Sequence, residues 1–298
     1  MSKRALSLGS AALCALALSL PAAAADLGRM PTKAPVVAPP PPFTWSGCYI
    51  GGFVGGAFTN DDVIFTDLGN GLFPSFSGGI TAPGVAGIHS WAVPLDDSSI
   101  IAGGTLGCNW QFAGSPFVLG IEGEGGYIKL DGAAFDPFLG PGTPIVAPFA
   151  PDVLGAARIG DWYAMITGRL GYAWDRWMIY AKGGAAFVRV QAAVVDACTS
   201  IAAGCGNWQI ATGDSDTATV ATFGGGVEWA FAPNWSIKAE YMFIALGDAD
   251  MTTCGTATLA SGAVVPGGAF CFNHSFPDVH TVKVGLNWRF GSLFGFGP

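Results

Sequence analysis

Histidines, cysteines and carboxylates are the side chains of this sequence most apt to carry chemistry. An enzyme needs a nucleophile oriented by a base. His89, His274 and His280 are the only histidines, and His274 followed by Ser275 is the nearest approach to such a pair. Adjacent residues on a strand point to opposite faces, so the two do not cooperate there. A lipid-deacylating barrel is the enzyme that this pair leaves open. No phosphate loop, metal motif or cofactor fingerprint appears, and no catalytic, metal or cofactor residue is assigned. The orderly signal is electrostatic. Glu122, Glu124, Glu228 and Glu240, with Arg169, Lys182, Lys238, Lys283 and Arg289, each occupy the polar positions of segments that alternate with apolar ones. Four acids against five bases nearly balance, so the chemistry they suit is mutual pairing where water is scarce.

The elements that must position these charges are strands. Val282, Val284, Leu286, Trp288 and Phe290 alternate with Thr281, Lys283, Gly285, Asn287 and Arg289. Trp235, Ile237, Ala239, Tyr241 and Phe243 alternate in the same way with Ser236, Lys238, Glu240 and Met242. Period two is the signature of a strand with one apolar face. Short turns near Ala113–Ser115, Trp174–Arg176 and Ala232–Asn234 recur at intervals of about 60 residues, a weak internal repeat. Alternating strands flank each turn, and Cys48–Phe58 with His280–Phe290 brings the number to eight. Long segments near residues 59–98, 131–160, 191–216 and 247–277 separate the hairpins. Aromatics at both ends of the apolar face, such as Trp162 and Trp174, form the girdles of a lipid-facing surface.

Composition agrees. Of 298 residues 51% are apolar and 11% charged, far below the quarter or so usual in soluble chains. A net charge of −8 and a pI near 4.6 exclude a nucleic-acid binder, which needs a basic stripe. Lys3 and Arg4, the apolar run Ala5–Leu20 and small Ala23 and Ala25 predict a signal peptide over 1–25. Half of residues 31–42 are proline, so 26–46 reads as an extended periplasmic linker. Nothing beyond is long and apolar enough for a membrane helix, and any spanning falls to strands. The expectation is an all-β, eight-stranded antiparallel up-and-down transmembrane β-barrel over 47–290, with four long extracellular loops, short periplasmic turns and a tail at 291–298.

GCYIGGFVGG from Gly47, GGTLGCNWQF from Gly103, GRLGYAWD from Gly168, IYAKGGAAF from Ile179, GGGVEWAFAPNWSIKAEYMF from Gly224 and HTVKVGLNWRF from His280 carry a resemblance. They resemble the porin-family, or outer-membrane immunogenic protein, group of alphaproteobacteria. The resemblance covers the strands but not the long loops. It implies a barrel of the cell outer membrane without enzymatic activity, inserted by the barrel-insertion machinery. This chain departs from the group in continuing past Phe290 with GSLFGFGP, and in having Cys48 and Cys108 where aromatics are usual.

An eight-stranded barrel is only wide enough for side chains to fill it. The nine inward charges are therefore expected to pair across the axis, beside Gly51, Gly103, Gly171, Gly226 and Gly285, and to suppress steady conductance. In an exported chain cysteines form disulfides more readily than zinc sites. Cys198 with Cys205 and Cys254 with Cys271 are the simplest pairings within the third and fourth loops, worth about 2.5 to 3 kcal/mol each. Cys48 and Cys108 share lipid-facing parity on adjacent strands, and their pairing stays open until the register is known. Asp96, Asp97 and Asp131, and Asp214 and Asp216 with Asp248 and Asp250, are expected at the outer rim, as solvated charges or as Ca²⁺ or Mg²⁺ bridges to lipopolysaccharide. The functional expectation is a structural and surface-display barrel, monomeric or weakly oligomeric, in contact with outer-membrane lipid and lipopolysaccharide. A narrow solute pore and an adhesin acting through apolar loops around Phe73, Phe76 and Trp91 are the alternatives.

Overall fold

The structure, a computed structural model, describes residues 43–68, 90–136, 153–197, 208–259 and 261–290. The expected signal peptide, most of the linker, the tail, His89, Phe73, Phe76, Cys198 and Cys205 lie outside them. Among the described residues thirteen strands form one sheet. They are β1 (Gly47–Phe58), β2 (Val63–Asp67), β3 (Ser90–Val93), β4 (Ser98–Gln111), β5 (Phe117–Tyr127), β6 (Lys129–Phe135), β7 (Leu154–Trp174), β8 (Trp177–Ala197), β9 (Trp208–Ala232), β10 (Trp235–Ile244), β11 (Asp250–Leu259), β12 (Val264–Ser275) and β13 (Val279–Phe290).

Eight of them close a ring in the order β1, β4, β5, β7, β8, β9, β10, β13, and β13 pairs antiparallel with β1. The alternation seen in the sequence is the reason for its polarity. Ile50, Val54, Leu106, Ile121, Ile166, Leu170, Val284 and Leu286 point outward and are exposed, while the neighbours between them are buried. This inverts a soluble barrel, and it fits hydrocarbon outside. Trp110, Trp174, Trp177, Trp229, Trp235 and Trp288 ring the turn end, and Tyr127, Trp162, Phe223 and Tyr241 ring the other. From Trp162 to Trp174 β7 rises about 40 Å, or about 30 Å of bilayer at a tilt near 40°. The turn at Asp175 and Arg176 is tight, with Asp175 in the left-handed region at φ 53°.

Much of what the sequence suggested as long loops is sheet. β7, β8 and β9 run 21, 21 and 25 residues, well past the roughly 10 that cross a membrane. β8 and β9 stay in register from Trp177↔Trp229 to Ala197↔Gln209. The supposed first, second and fourth loops contain β2 and β3, β6, and β11 and β12, which continue the sheet beyond the ring. Alternation in these stretches is between small residues, too faint to stand out from loop composition. Where β6 replaces β5 beside β7, a bulge spans Gly160 to Trp162. Its Asp161 sits at φ 79° and its N–H donates to the Ile128 carbonyl.

Within the extension an apolar core includes Phe65, Trp91, Ile128, Ile159, Val190 and Phe272. Trp91, expected on an adhesive loop, is in this core, its ring 5.3 Å from Phe65. Cys254 bonds Cys271 directly across β11 and β12, and Cys48 bonds Cys108 across β1 and β4 on the outward face.

Candidate functional site

Inside the ring the contents are layered. At the turn end Trp45, Val118, Ala173, Met178, Tyr180 and Ala230 form an apolar layer with Phe43 against it. The last residues of the expected linker thus belong to the barrel. The Trp45 N–H donates to Gln111 Oε1 at 2.9 Å, and Arg289 Nη1 donates to the Thr44 carbonyl at 2.7 Å. The Arg289 guanidinium also lies 4.6 Å from the Phe43 ring centre and 5.4 Å from that of Trp45. Arg289 was expected in the lumen charge network; instead it stands at the mouth, bonded to carbonyls and aromatic faces. The end of β13 lies level with Pro233, whose carbonyl takes its other nitrogen.

The remaining eight charges meet above this layer. Lys182 Nζ donates to Glu122 at 2.6 Å and to Glu240 at 3.0 Å. Lys238 reaches both oxygens of Glu122 at 3.1 Å, and Lys283 lies 3.0 Å from Glu240 and bonds Glu124. Arg169 pairs with Glu228, which also accepts from Ser236 and Asn287. All eight are buried, Glu124 being the most exposed at 6%. Four acids and four bases give a formally neutral cluster. Strand parity explains the convergence: Lys182↔Gly224, Glu240↔Lys283 and Lys238↔Glu228 bring inward positions level around the ring. The glycines between them yield space. A Cβ on Gly226 would meet the Tyr180 hydroxyl at 2.8 Å, and one on Gly171 the Met178 sulfur at 2.8 Å.

Three tyrosines complete the layer, and the sequence reading omitted them. Tyr49 bonds Glu122, Tyr163 donates to Glu124 at 2.8 Å, and Tyr180 donates to Glu240 at 2.9 Å. Tyr163 and Tyr180 share the inward parity of Arg169 and Lys182 on their own strands, and Tyr49 is opposite in parity to the outward Ile50, so the alternation contained the signal. Above the layer begins the apolar core, from Phe53, Tyr163 and Met165 upward.

Among the described residues Glu122, Glu124 and Glu240 form the single acidic trio close enough to hold a metal, but three lysines already neutralise it. At the rim the Asp96 N–H bonds the Asp131 carbonyl, yet the Asp131 carboxylate pairs with Lys129 at 3.2 Å and Arg158 at 3.7 Å. Two partly exposed basic side chains thus stand beside this acid. His274 is fully buried on β12, Nε2 against Thr253 Oγ1 at 2.9 Å and its ring edge-on to Phe65. Ser275 bonds Asp250 instead, so the two residues do not meet chemically.

An apolar belt between aromatic girdles, around a closed antiparallel ring filled by ion pairs, defines an outer-membrane barrel protein of a Gram-negative envelope. Comparison with known proteins agrees. The chain belongs to the outer membrane protein beta-barrel domain family, which matches residues 10–290. It is 29% identical over 274 residues to the 31 kDa outer-membrane immunogenic proteins of Brucella melitensis biotype 1 and Brucella suis biovar 1, covering 90% of this chain and 93% of each relative. Among solved structures it is similar to OprG from Pseudomonas aeruginosa, at 9% identity and a TM-score of 0.40 over 83% of this chain and 99% of that one. Neisserial surface protein A gives 8% identity and a TM-score of 0.33 over 82% and 98%. The protein resides in the bacterial outer membrane.

Proposed function

We propose that the protein is a structural and surface-display barrel whose lumen is shut to solutes and which performs no chemistry of its own. The observation that supports this is the neutral layer of eight buried charges, held between an apolar cap at the turn end and an apolar core above. Opening a water path through that layer would separate ion pairs in a region of low dielectric, and breaking one such pair costs about 3 to 5 kcal/mol. Stability of this kind serves an envelope protein that holds an extended sheet outside the cell. Planar-bilayer recording of the purified full-length protein tests the reading. The expected record is a quiet baseline with rare, brief steps; a stable open state of large conductance overturns it and favours a pore.

A further inference from the structure

Beyond the upper girdle the outer face of β6 to β9 changes character. Its side chains stand in cross-strand rows. Asp131, Arg158, Gln191 and Ser215 lie opposite one another in the first. Ala133, Ala156, Ala193 and Gly213 make the next, and Phe135, Leu154 and Val195 the third. The polar row and the small middle row line a shallow trough of about 750 Å³, and the apolar row lies one step beyond its floor. A Cβ on Gly213 would lie 3.1 Å from that of Ala193, so glycine keeps the trough open there.

The polar rim is fixed and nearly neutral. Asp161, turned inside the bulge, accepts from Gln191 Nε2 at 2.8 Å and from Arg158 Nη1 at 3.4 Å. Arg158 and Lys129 also flank Asp131. Arg189 Nη2 donates to Ser215 Oγ at 3.2 Å, while its buried Nε has no protein partner. Lys129, Arg158 and Arg189 are thus offset by Asp131, Asp161 and Asp214. Such a rim has no excess charge with which to draw a bare phosphate, but it offers donors and acceptors side by side. Hydroxyl groups, which both give and take hydrogen bonds, match that arrangement. The alanine floor, with Phe135, 48% exposed, in the next row beyond it, matches the C–H face of a sugar ring.

We infer that this trough binds the saccharide chain of a glycolipid anchored in the surrounding outer leaflet. Ala156 stands six residues above Trp162 on β7, which places the trough about 15 Å beyond the girdle, above the acyl region and beside its carbohydrate. An anchored ligand is presented at an effective concentration in the millimolar range, so a shallow site with weak intrinsic affinity stays filled. This goes beyond the structural role and does not depend on the closed lumen.

The test uses full-length protein in phospholipid nanodiscs free of glycolipid. The probe is core oligosaccharide released by mild acid from lipopolysaccharide of the host strain and then dephosphorylated, followed by saturation-transfer NMR. Saturable binding is expected, with at least tenfold loss in Ala193→Trp, which fills the trough, and in Gln191→Leu, which removes a rim amide without adding bulk. Heat-dependent gel mobility reports folding, and Gln191→Leu decides the matter should the tryptophan variant fail to fold. Unaltered binding by a folded Gln191→Leu variant overturns the proposal. So does absence of saturable binding by the oligosaccharide, whether nothing binds or inorganic phosphate or the lipid A moiety binds in its place.

Discussion

The guanidinium of Arg169 lies 3.5 Å from the centre of the Tyr180 ring, whose hydroxyl in turn donates to Glu240. One aromatic ring therefore joins the two parts of the charge layer. Arg169 and Glu228 form the lower part, and Glu240 with Lys182 and Lys283 belongs to the upper. Because Arg169 is buried against Glu228, Arg169→Met should destabilise the barrel by about 3 to 5 kcal/mol through the carboxylate left unpaired. Arg169→Met with Glu228→Met should recover most of that loss. Urea unfolding in lipid, followed by tryptophan fluorescence, checks both values; equal losses in the single and double variants would count against a coupled pair.

Val284 and Lys283 are neighbours with opposite surroundings. Val284→Arg places a cation on the exposed apolar face and should cost about 2 to 4 kcal/mol. Alternation alone would make Lys283→Arg harmless. The structure changes that expectation, because Lys283 is 1% exposed, bonds Glu124 and Glu240, and lies 4.9 Å from the Phe53 ring centre. A larger planar head in that space should cost about 1 to 3 kcal/mol by overpacking. Refolding yields into vesicles rank the two variants.

Trp45 caps the lower mouth. Trp45→Ala should lower stability by about 3 to 5 kcal/mol, the usual loss for a buried tryptophan. Bilayer current should stay at baseline, since the ion-pair layer above remains intact. A steady current in this variant would transfer the seal from the charges to the cap.

Burial holds the His274 imidazole down, to about 4. An unfolded histidine titrates near 6.5, so between these values the unfolded extension binds the proton more readily than the folded one. Stability is therefore full above about pH 6.5, falls as pH drops toward 4, and is level below; the whole effect amounts to about 3 kcal/mol. Hydrogen exchange of β11 and β12 between pH 7.5 and 4.5 should show this loss, and His274→Gln should flatten it.

Reduction of Cys254–Cys271 should act on the extension alone, because that bond joins β11 to β12 outside the ring. Limited proteolysis is expected to cut near these strands after reduction, while heat-dependent mobility persists. Loss of that mobility in a Cys254→Ala and Cys271→Ala variant would contradict the separation.

What could be read in the sequence was whatever a strict two-residue period records. Lys238, Glu240 and Lys283 declare their inward direction because isoleucine, tyrosine or valine flanks them on the outward side. Residues 209–222 form strand just as firmly, but there Thr, Ala, Ser, Asp and Gly alternate with one another and hydropathy hardly oscillates. Arg289 has the same parity as Lys283 and still leaves the layer, since position along the axis, which parity does not record, puts it at the mouth. Cys48 and Cys108 needed the register, and Cys48↔Cys108 supplies it. Trp45 follows the proline segment, and composition by itself gave no reason to fold it under the ring.

The seam between β1 and β13 joins residues more than 200 positions apart. Such contacts are slow to form, because a long closure must precede them. Until Val279–Phe290 arrives, β1 and β10 keep raw hydrogen-bonding edges that hydrocarbon does not tolerate. The ring is consequently a post-translational product: the ribosome must release the final strand before insertion can finish.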